Sequence, residues 1–332
     1  MLKSLQKAFK VKEVRDRLLY TFMMLVVIRI GCCLPIPGVD PSYLHDFFSN
    51  LQNSGMGFFN AITGGSFSSM SIFALSITPY ITSSIIMQLL TIAIPKLEEM
   101  QKDGEDGRKK IAEYTRYLTV GLALFESCAM AVGLGGKGLL LEDHRNIWGY
   151  LTVVAAMTAG SALLMWIGER ITDNGVGNGI SIVLLINIVS GTPQDMMTLY
   201  ERFMAGRSVA VATVSGIIVL AIIVAIVVFV LVLNDAERRI PVQYSKKMQG
   251  RRMIGGQSTY IPLKVNTANV IPVIFASSIM SMPVMIAQFF HVDYSTIGGK
   301  ILLALSSSNW FKPEAPAYSI GMLVYIVLVV LF

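Results

Sequence analysis

The sequence predicts an all-α fold, a polytopic transmembrane helix bundle of eight spans that begins in the cytoplasm. Three observations carry this. Apolar residues make up 54% of the 332 and charged residues 14%, with mean hydropathy +0.62, far from the balance of a soluble domain. The apolar residues gather into eight runs, most of them near the roughly 20 residues a bilayer requires. The basic residues alternate along these runs. Twenty of the 27 Lys and Arg fall in 1–17, 95–116, 168–178 and 234–266, which hold six, six, one and seven. The polar segments 36–70, 134–148, 191–208 and 290–317 hold none, two, two and two. Short loops that stay in the cytoplasm keep their Lys and Arg, and translocated loops do not.

Each element follows from local pattern. Residues 1–17 are basic, with Leu2, Leu5, Phe9 and Val14 at helical spacing, which predicts an amphipathic helix on the cytoplasmic headgroups. The first span is 18–35, stopped by Pro35-Ile36-Pro37. A secretory leader starts similarly, but no small-residue cleavage site follows Ile30 and more spans come after, so this run is a retained helix. Residues 54–70 read SGMGFFNAITGGSFSSM. They are too polar to face lipid and too apolar for an ordinary loop, and Gly57, Gly64 and Gly65 disfavour a long helix. The second span is 71–94, kinked or broken near Pro79.

Six more spans are predicted at 114–134, 148–167, 179–190, 209–233, 269–290 and 318–332. The fifth is short, so its flanks must extend it or protein must shield it. The last run stops at Phe332 without a polar anchor, which reads as a truncation; the even count returns the C-terminus to the cytoplasm.

Several chemistries are excluded. His45, His144 and His291 are scattered over the outer segments, and no His, Asp or Glu cluster has metal spacing. No Ser/His/Asp set and no phosphate-binding GxxxxGK[ST] occurs. The expectation is therefore no catalytic residue, metal, cofactor or nucleotide hydrolysis. Cys32, Cys33 and Cys128 lie in apolar runs and offer no disulfide framework. Residues 133–138, GLGGKG, follow no strand and read as a turn. Arg29 and Glu126 are the ionisable residues inside apolar runs. An intramembrane charge invites a functional reading, but both lie toward the outer part of their spans, where snorkelling or a structural pairing accounts for them.

An ion-coupled transporter requires midplane carboxylates or broken helices, yet the second, fourth, fifth, sixth and seventh spans contain no Asp or Glu. A small-solute secondary transporter is thus the alternative function, and a scaffold for other membrane proteins a third.

Longer segments identify a family. GGSFSSMSIFALSITPYITSSIIMQLL (64–90), EDGRKKIAEYTRYLT (105–119), MWIGERITDNGVGNGISI (165–182), YSKKMQGRRMIGGQSTYIPLKVNTANVIPVIFASSI (244–279) and PIPGVD (35–40) closely resemble the SecY/Sec61-alpha family, the channel subunits of protein-export translocons. The resemblance runs from end to end and implies the first eight of ten spans. It implies a two-halved clamshell with an inverted repeat: 18–190 as the N-terminal half, and 209–332 as a truncated C-terminal half with cytoplasmic loop 234–266. The chain would translocate unfolded secretory polypeptides across the bacterial plasma membrane and release spans sideways into lipid.

The resemblance also implies roles. Residues 54–70 would be a plug, with Gly57, Phe58, Phe59, Asn60, Gly64, Gly65 and Ser66 at its centre. Ile77, Ile81, Ile180, Leu184 and Ile274 would form the pore ring, where many relatives carry isoleucine in place of Leu184. Branched aliphatic side chains dewet when the pore is empty and deform around a passing chain. A lateral gate is expected between Ser83, Ser84 and Gln88 on one side and Ser277, Ser278 and Ser281 on the other; ordinary serine-mediated helix packing is the competing reading. Arg238, Arg239, Lys246, Lys247, Arg251 and Arg252, with Arg251 and Arg252 at the tip and Lys109, Lys110 and Arg170 as weaker candidates, would meet a polyanionic or acidic partner, a ribosome through its RNA phosphates or the SecA ATPase. Topology and attraction to anionic lipids also account for these cations. SecE-like and SecG-like subunits, signal sequences and nascent chains are the remaining partners implied.

Overall fold

The computed structural model describes residues 10–40, 60, 62–135, 138, 140–141, 145–242, 247–249, 252–254, 259–267, 271–289, 296–306, 309–310 and 316–332, with backbone alone at 134, 247–249, 252–254, 259, 271, 281, 285–286 and 288–289. It is predominantly helical, as expected. Its residues form two compact units, Met1–Pro193 with Phe275–Phe332, and Gln194–Ile274.

Helix α1 (Lys12–Cys33) carries the first span. Lys12–Arg17 form its opening turns, continuous with the apolar part because no Gly or Pro interrupts them; Leu2, Leu5 and Phe9 lie outside the described residues. The chain then turns at Pro35 and pairs with the segment before the second span. Ile36 N–H donates to the Met70 carbonyl at 3.1 Å and Ile72 N–H to that of Leu34 at 3.0 Å.

Helix α2 (Thr78–Ala93) starts seven residues later than the sequence suggests. Residues 64–77 are turns, with Met70 at φ 41° and Ser76 at φ 53°. The break expected near Pro79 is therefore the helix start, where a proline without N–H loses nothing. Pro95 ends α2, and α3 (Pro95–Lys102) leaves at 102°. It buries no residue.

Helices α4 (Glu105–Gly135) and α5 (Ile147–Asn174) carry the third and fourth spans and pack together. Helix α6 (Gly179–Phe203) begins where the fifth span was expected but continues through Pro193. The helical flank extends the short apolar run, so part of the 191–208 loop is helix instead. Helix α7 (Val209–Asp235) carries the sixth span.

The basic loop departs from the all-helical expectation. Strand β1 (Glu237–Val242) pairs antiparallel with β4 (Thr259–Lys264), and β2 (Lys247–Gln249) with β3 (Arg252–Ile254). Pro241 and Pro262 disfavour helix but suit a two-stranded ribbon, in which both strands are edges. Helix α8 (Ile271–Phe289) covers the expected seventh span. The segment 290–317 holds an unforeseen helix, α9 (Ile297–Leu305), capped by Thr296 Oγ1, which accepts from Gly299 N–H at 3.2 Å. A 3-10 turn (Pro316–Ser319) leads into α10 (Ile320–Leu331).

Eight helices thus overlap the eight expected spans. By length and apolarity alone, α5, α6 and α7 are sufficient to cross a membrane among the described residues, with α2 and α3 together a bent fourth. In lipid, close packing rather than water exclusion holds such helices together, and small residues mark where they meet. A Cβ at Gly160 of α5 would overlap the Ile72 carbonyl, and one at Gly179 of α6 the Gly168 carbonyl.

Candidate functional site

The pore-ring candidates of the first unit share one cluster. Ile77 is the N-cap of α2 and is fully enclosed; Val183, Leu164 and Ile167 are buried with it, while Ile81, Ile180 and Leu184 pack at its margin. Ile77 and Ile81 are one turn apart on α2, and Ile180 and Leu184 one turn apart on α6, so each pair shares a helix face. Gly168 brings the two pairs together. A Cβ there would lie 3.5 Å from both Ile77 Cδ1 and Ile180 Cγ1. This glycine lies in the 165–182 segment of the family resemblance, between Ile167 and Glu169, but nothing in the local pattern marks it as a contact between the two pairs. Ile274 is half-buried and belongs to the second unit.

The described part of the plug candidate is a polar turn built on Asn60. The Asn60 carbonyl accepts from Gly65 N–H at 3.1 Å, and its Oδ1 accepts from Ser68 N–H at 3.2 Å. Gly64 (φ 65°) and Gly65 (φ 81°) take left-handed conformations that L side chains disfavour. A Cβ on Gly64 would lie 2.9 Å from the Asn187 Cα and carbonyl oxygen, so the turn rests directly on α6. Ser66 is buried; Gly57, Phe58 and Phe59 lie outside the described residues.

Beneath this turn sits a polar group that hydropathy and motif do not single out. Asn187 of α6 is 1% exposed, and its Nδ2 donates to Ser76 Oγ, equally buried, at 3.0 Å. Asn187 Oδ1 is enclosed without a partner among the described residues, and a buried acceptor left unpaired costs about 1–3 kcal/mol. Ser190 Oγ donates to the Asn187 carbonyl at 2.6 Å and accepts from Arg29 Nη1 at 2.9 Å. Arg29 therefore has the structural pairing expected of it, to a hydroxyl on another span. Glu126 Oε2 is buried with no hydrogen-bond partner. The available signal for Asn187 is an Asn in an otherwise apolar run, since polar side chains in spans seek interhelical partners.

The gate candidates differ in environment. Ser83 is buried and its Oγ donates to the Pro79 carbonyl at 2.7 Å. Ser84 is half-buried and Gln88 exposed. Ser277 and Ser278 of α8 are half-buried and engaged with neighbours. The side chain of Ser281 lies outside the described residues.

The basic loop presents Arg238 and Arg239 on β1, both exposed, with the Arg239 guanidinium 4.7 Å from the Tyr260 ring centroid. Lys247 stands on β2 opposite Ile254, and Arg252 on β3 opposite Gln249. Lys246 and Arg251 lie outside the described residues. In the first unit, Lys109 and Lys110 are exposed on α4. Lys109 Nζ lies 3.9 Å from Asp106, and Arg170 lies 4.0 Å from Asp173. Arg116 donates to Glu169 at 2.8 Å and ties α4 to α5. Among the described residues no group of His, Cys, Asp and Glu could hold a metal.

Known proteins fit this arrangement. The SecY family model matches residues 71–332. A protein translocase subunit SecY from Streptomyces scabiei is 43% identical over all of this chain and 75% of its own length. That from Thermus thermophilus is 39% identical over all of this chain and 74% of its own. Among solved structures, a protein-conducting channel superposes with TM-score 0.60 at 20% identity, covering 95% of this chain and 71% of that one. Sec61 from a canine ribosome–channel complex of the endoplasmic reticulum gives 0.58 at 20%, over 95% and 71%.

Proposed function

Because the chain belongs to the SecY family, we propose that it conducts polypeptide through a constriction made by Ile77, Ile81, Ile180 and Leu184. It is a multi-pass membrane protein and a protein-conducting channel subunit of a protein translocase. Nothing in the comparisons favours the small-solute transporter.

The observation that carries the constriction is the meeting of α2 and α6 at Gly168. A polar chain crossing hydrocarbon would strand its N–H and C=O groups, at several kcal/mol each. A watery path avoids that cost but must not leak ions at rest. Aliphatic side chains from two helices serve both needs, since they dewet when unoccupied and yield when a chain enters. Ile274 joins this assignment through the family motif alone. Residues 54–70 act as the plug, and no chemical bond is made or broken by the chain itself.

Spans leave sideways between the face of Ser84 and Gln88 and the face of Ser277, Ser278 and Ser281. The transfer of a span to lipid is driven by only about 0.3–0.6 kcal/mol per central Leu or Ile, so a gate of weak polar interactions suits it. The chain lies in a bacterial plasma membrane with its N-terminus inside. Its cations in 234–266 meet SecA or the ribosome, with anionic lipid around them, and SecE-like and SecG-like subunits complete the assembly. The deciding experiment is uptake of an unfolded precursor by proteoliposomes containing the chain, these subunits and a motor. Uptake that requires the chain supports the reading. Uptake of small solutes without precursor movement overturns it.

A further inference from the structure

We propose that Asn187 is a positioning residue, a latch that seats the 62–77 turn over the constriction through its amide bond to Ser76 and its backbone contact with Gly64. The inference rests on the channel reading above and extends it to how the closed position is held.

Four observations converge on this residue. Asn187 follows Leu184 by three positions on α6, so it continues the face that carries Ile180 and Leu184. Ser76 immediately precedes Ile77, so the Nδ2–Oγ bond of 3.0 Å joins α6 to the turn that leads into α2, next to the constriction. Ser76 holds φ 53°, a conformation that a non-glycine residue keeps only where its surroundings compensate. Gly64 closes the arrangement from above, with no room for a side chain between the turn and the Asn187 backbone.

The latch is built to be released. The bond between Asn187 and Ser76 joins neutral groups, and the amide oxygen, the acceptor of that side chain, has no partner among the described residues. When the turn moves outward, water reaches Ser76 Oγ and both amide atoms, so the broken bond is replaced and the empty acceptor is satisfied. Removing either partner biases the turn toward the open position without touching Ile77, Ile81, Ile180 or Leu184. Arg29 fixes the same stretch of α6 through Ser190, whose Oγ also lies 3.0 Å from a Cβ built on Gly64.

The test uses Ser66→Cys, a buried position in the turn, in a chain whose Cys32, Cys33 and Cys128 are replaced by Ala. In proteoliposomes, its labelling by a membrane-impermeant maleimide is timed, and resting ion conductance is recorded. Asn187→Ala and Ser76→Ala are each expected to raise the labelling rate at least tenfold and to raise conductance. The double variant should match the single ones, because the same bond is removed in each case. Unchanged labelling in both single variants, with precursor export intact, overturns the latch, as does strict additivity in the double variant. Absence of export in the unaltered chain overturns the channel reading instead. Thermal unfolding of each variant separates release from misfolding: faster labelling only in step with a lowered unfolding midpoint assigns Asn187 a purely structural role and overturns the proposal.

Discussion

At the scale of single residues, the proposed constriction depends on side chains that refuse water. Ile81 packs at the edge of the cluster around the fully enclosed Ile77. Aspartate at Ile81 would hold water in the constriction continuously, because an ionised carboxylate cannot be dried without a partner. Resting conductance should rise for Ile81→Asp and for Ile274→Asp, and stay near normal for Ile81→Leu. Normal conductance and normal export in both Asp variants would dismiss these residues from the ring. Asn187 and Ser76 show how far this scale can be read from sequence. Each is one polar residue in an apolar run, and nothing in the spacing pairs positions 111 residues apart.

At the scale of elements, the α5–α6 junction and the basic ribbon make separate demands. Gly179 lies against the Gly168 carbonyl, with no space for a Cβ. Gly179→Val should separate the helices and cost about 1–3 kcal/mol of overpacking, read as a lower unfolding midpoint in detergent. An unchanged midpoint would show that the junction is not tight. The ribbon is tested by charge reversal. Arg251→Glu with Arg252→Glu should weaken binding to a ribosome or SecA. For a phosphate partner, the dependence of log affinity on log salt should become shallower by about 0.7–0.9 for each phosphate that the chain no longer neutralises. Equal affinities at every salt concentration would leave the cations as topology signals alone. For the gate, Ser84→Cys with Ser278→Cys should crosslink under oxidation in the closed channel and block insertion of membrane clients. Free thiols after oxidation would remove that pair from the gate.

The elements also differ in how openly the sequence announces them. Helices α1, α4, α5 and α7 appear as unbroken apolar or amphipathic runs. The late start of α2 is obscured because 71–77 is as apolar as the helix it precedes, and hydropathy does not register a left-handed Ser76. Helix α6 outruns its apolar stretch because helical backbone bonds continue after the side chains turn polar. The strands of the basic loop are masked by its dense charge, yet its Thr259-Tyr260-Ile261 and two prolines favour extended chain.

At the scale of the whole molecule, the alternating cations carry the proposed orientation, with the N-terminus inside. Protease tags placed in 1–17 or 234–266 should be protected in intact cells, while a tag in 290–317 should be cut from outside after the outer barrier is opened. The reverse pattern would invert the topology. Class, approximate span positions and family were all legible in the order of residues, because a bilayer imposes a length and a charge rule that act on local sequence. The packing between the spans was not. The enclosure of Ile77, the close approach at Gly168 and the bond between Asn187 and Ser76 each join residues from separate spans. Lipid-facing and protein-facing apolar side chains look alike in one dimension, so only the packing of the folded chain decides which of them line a common site.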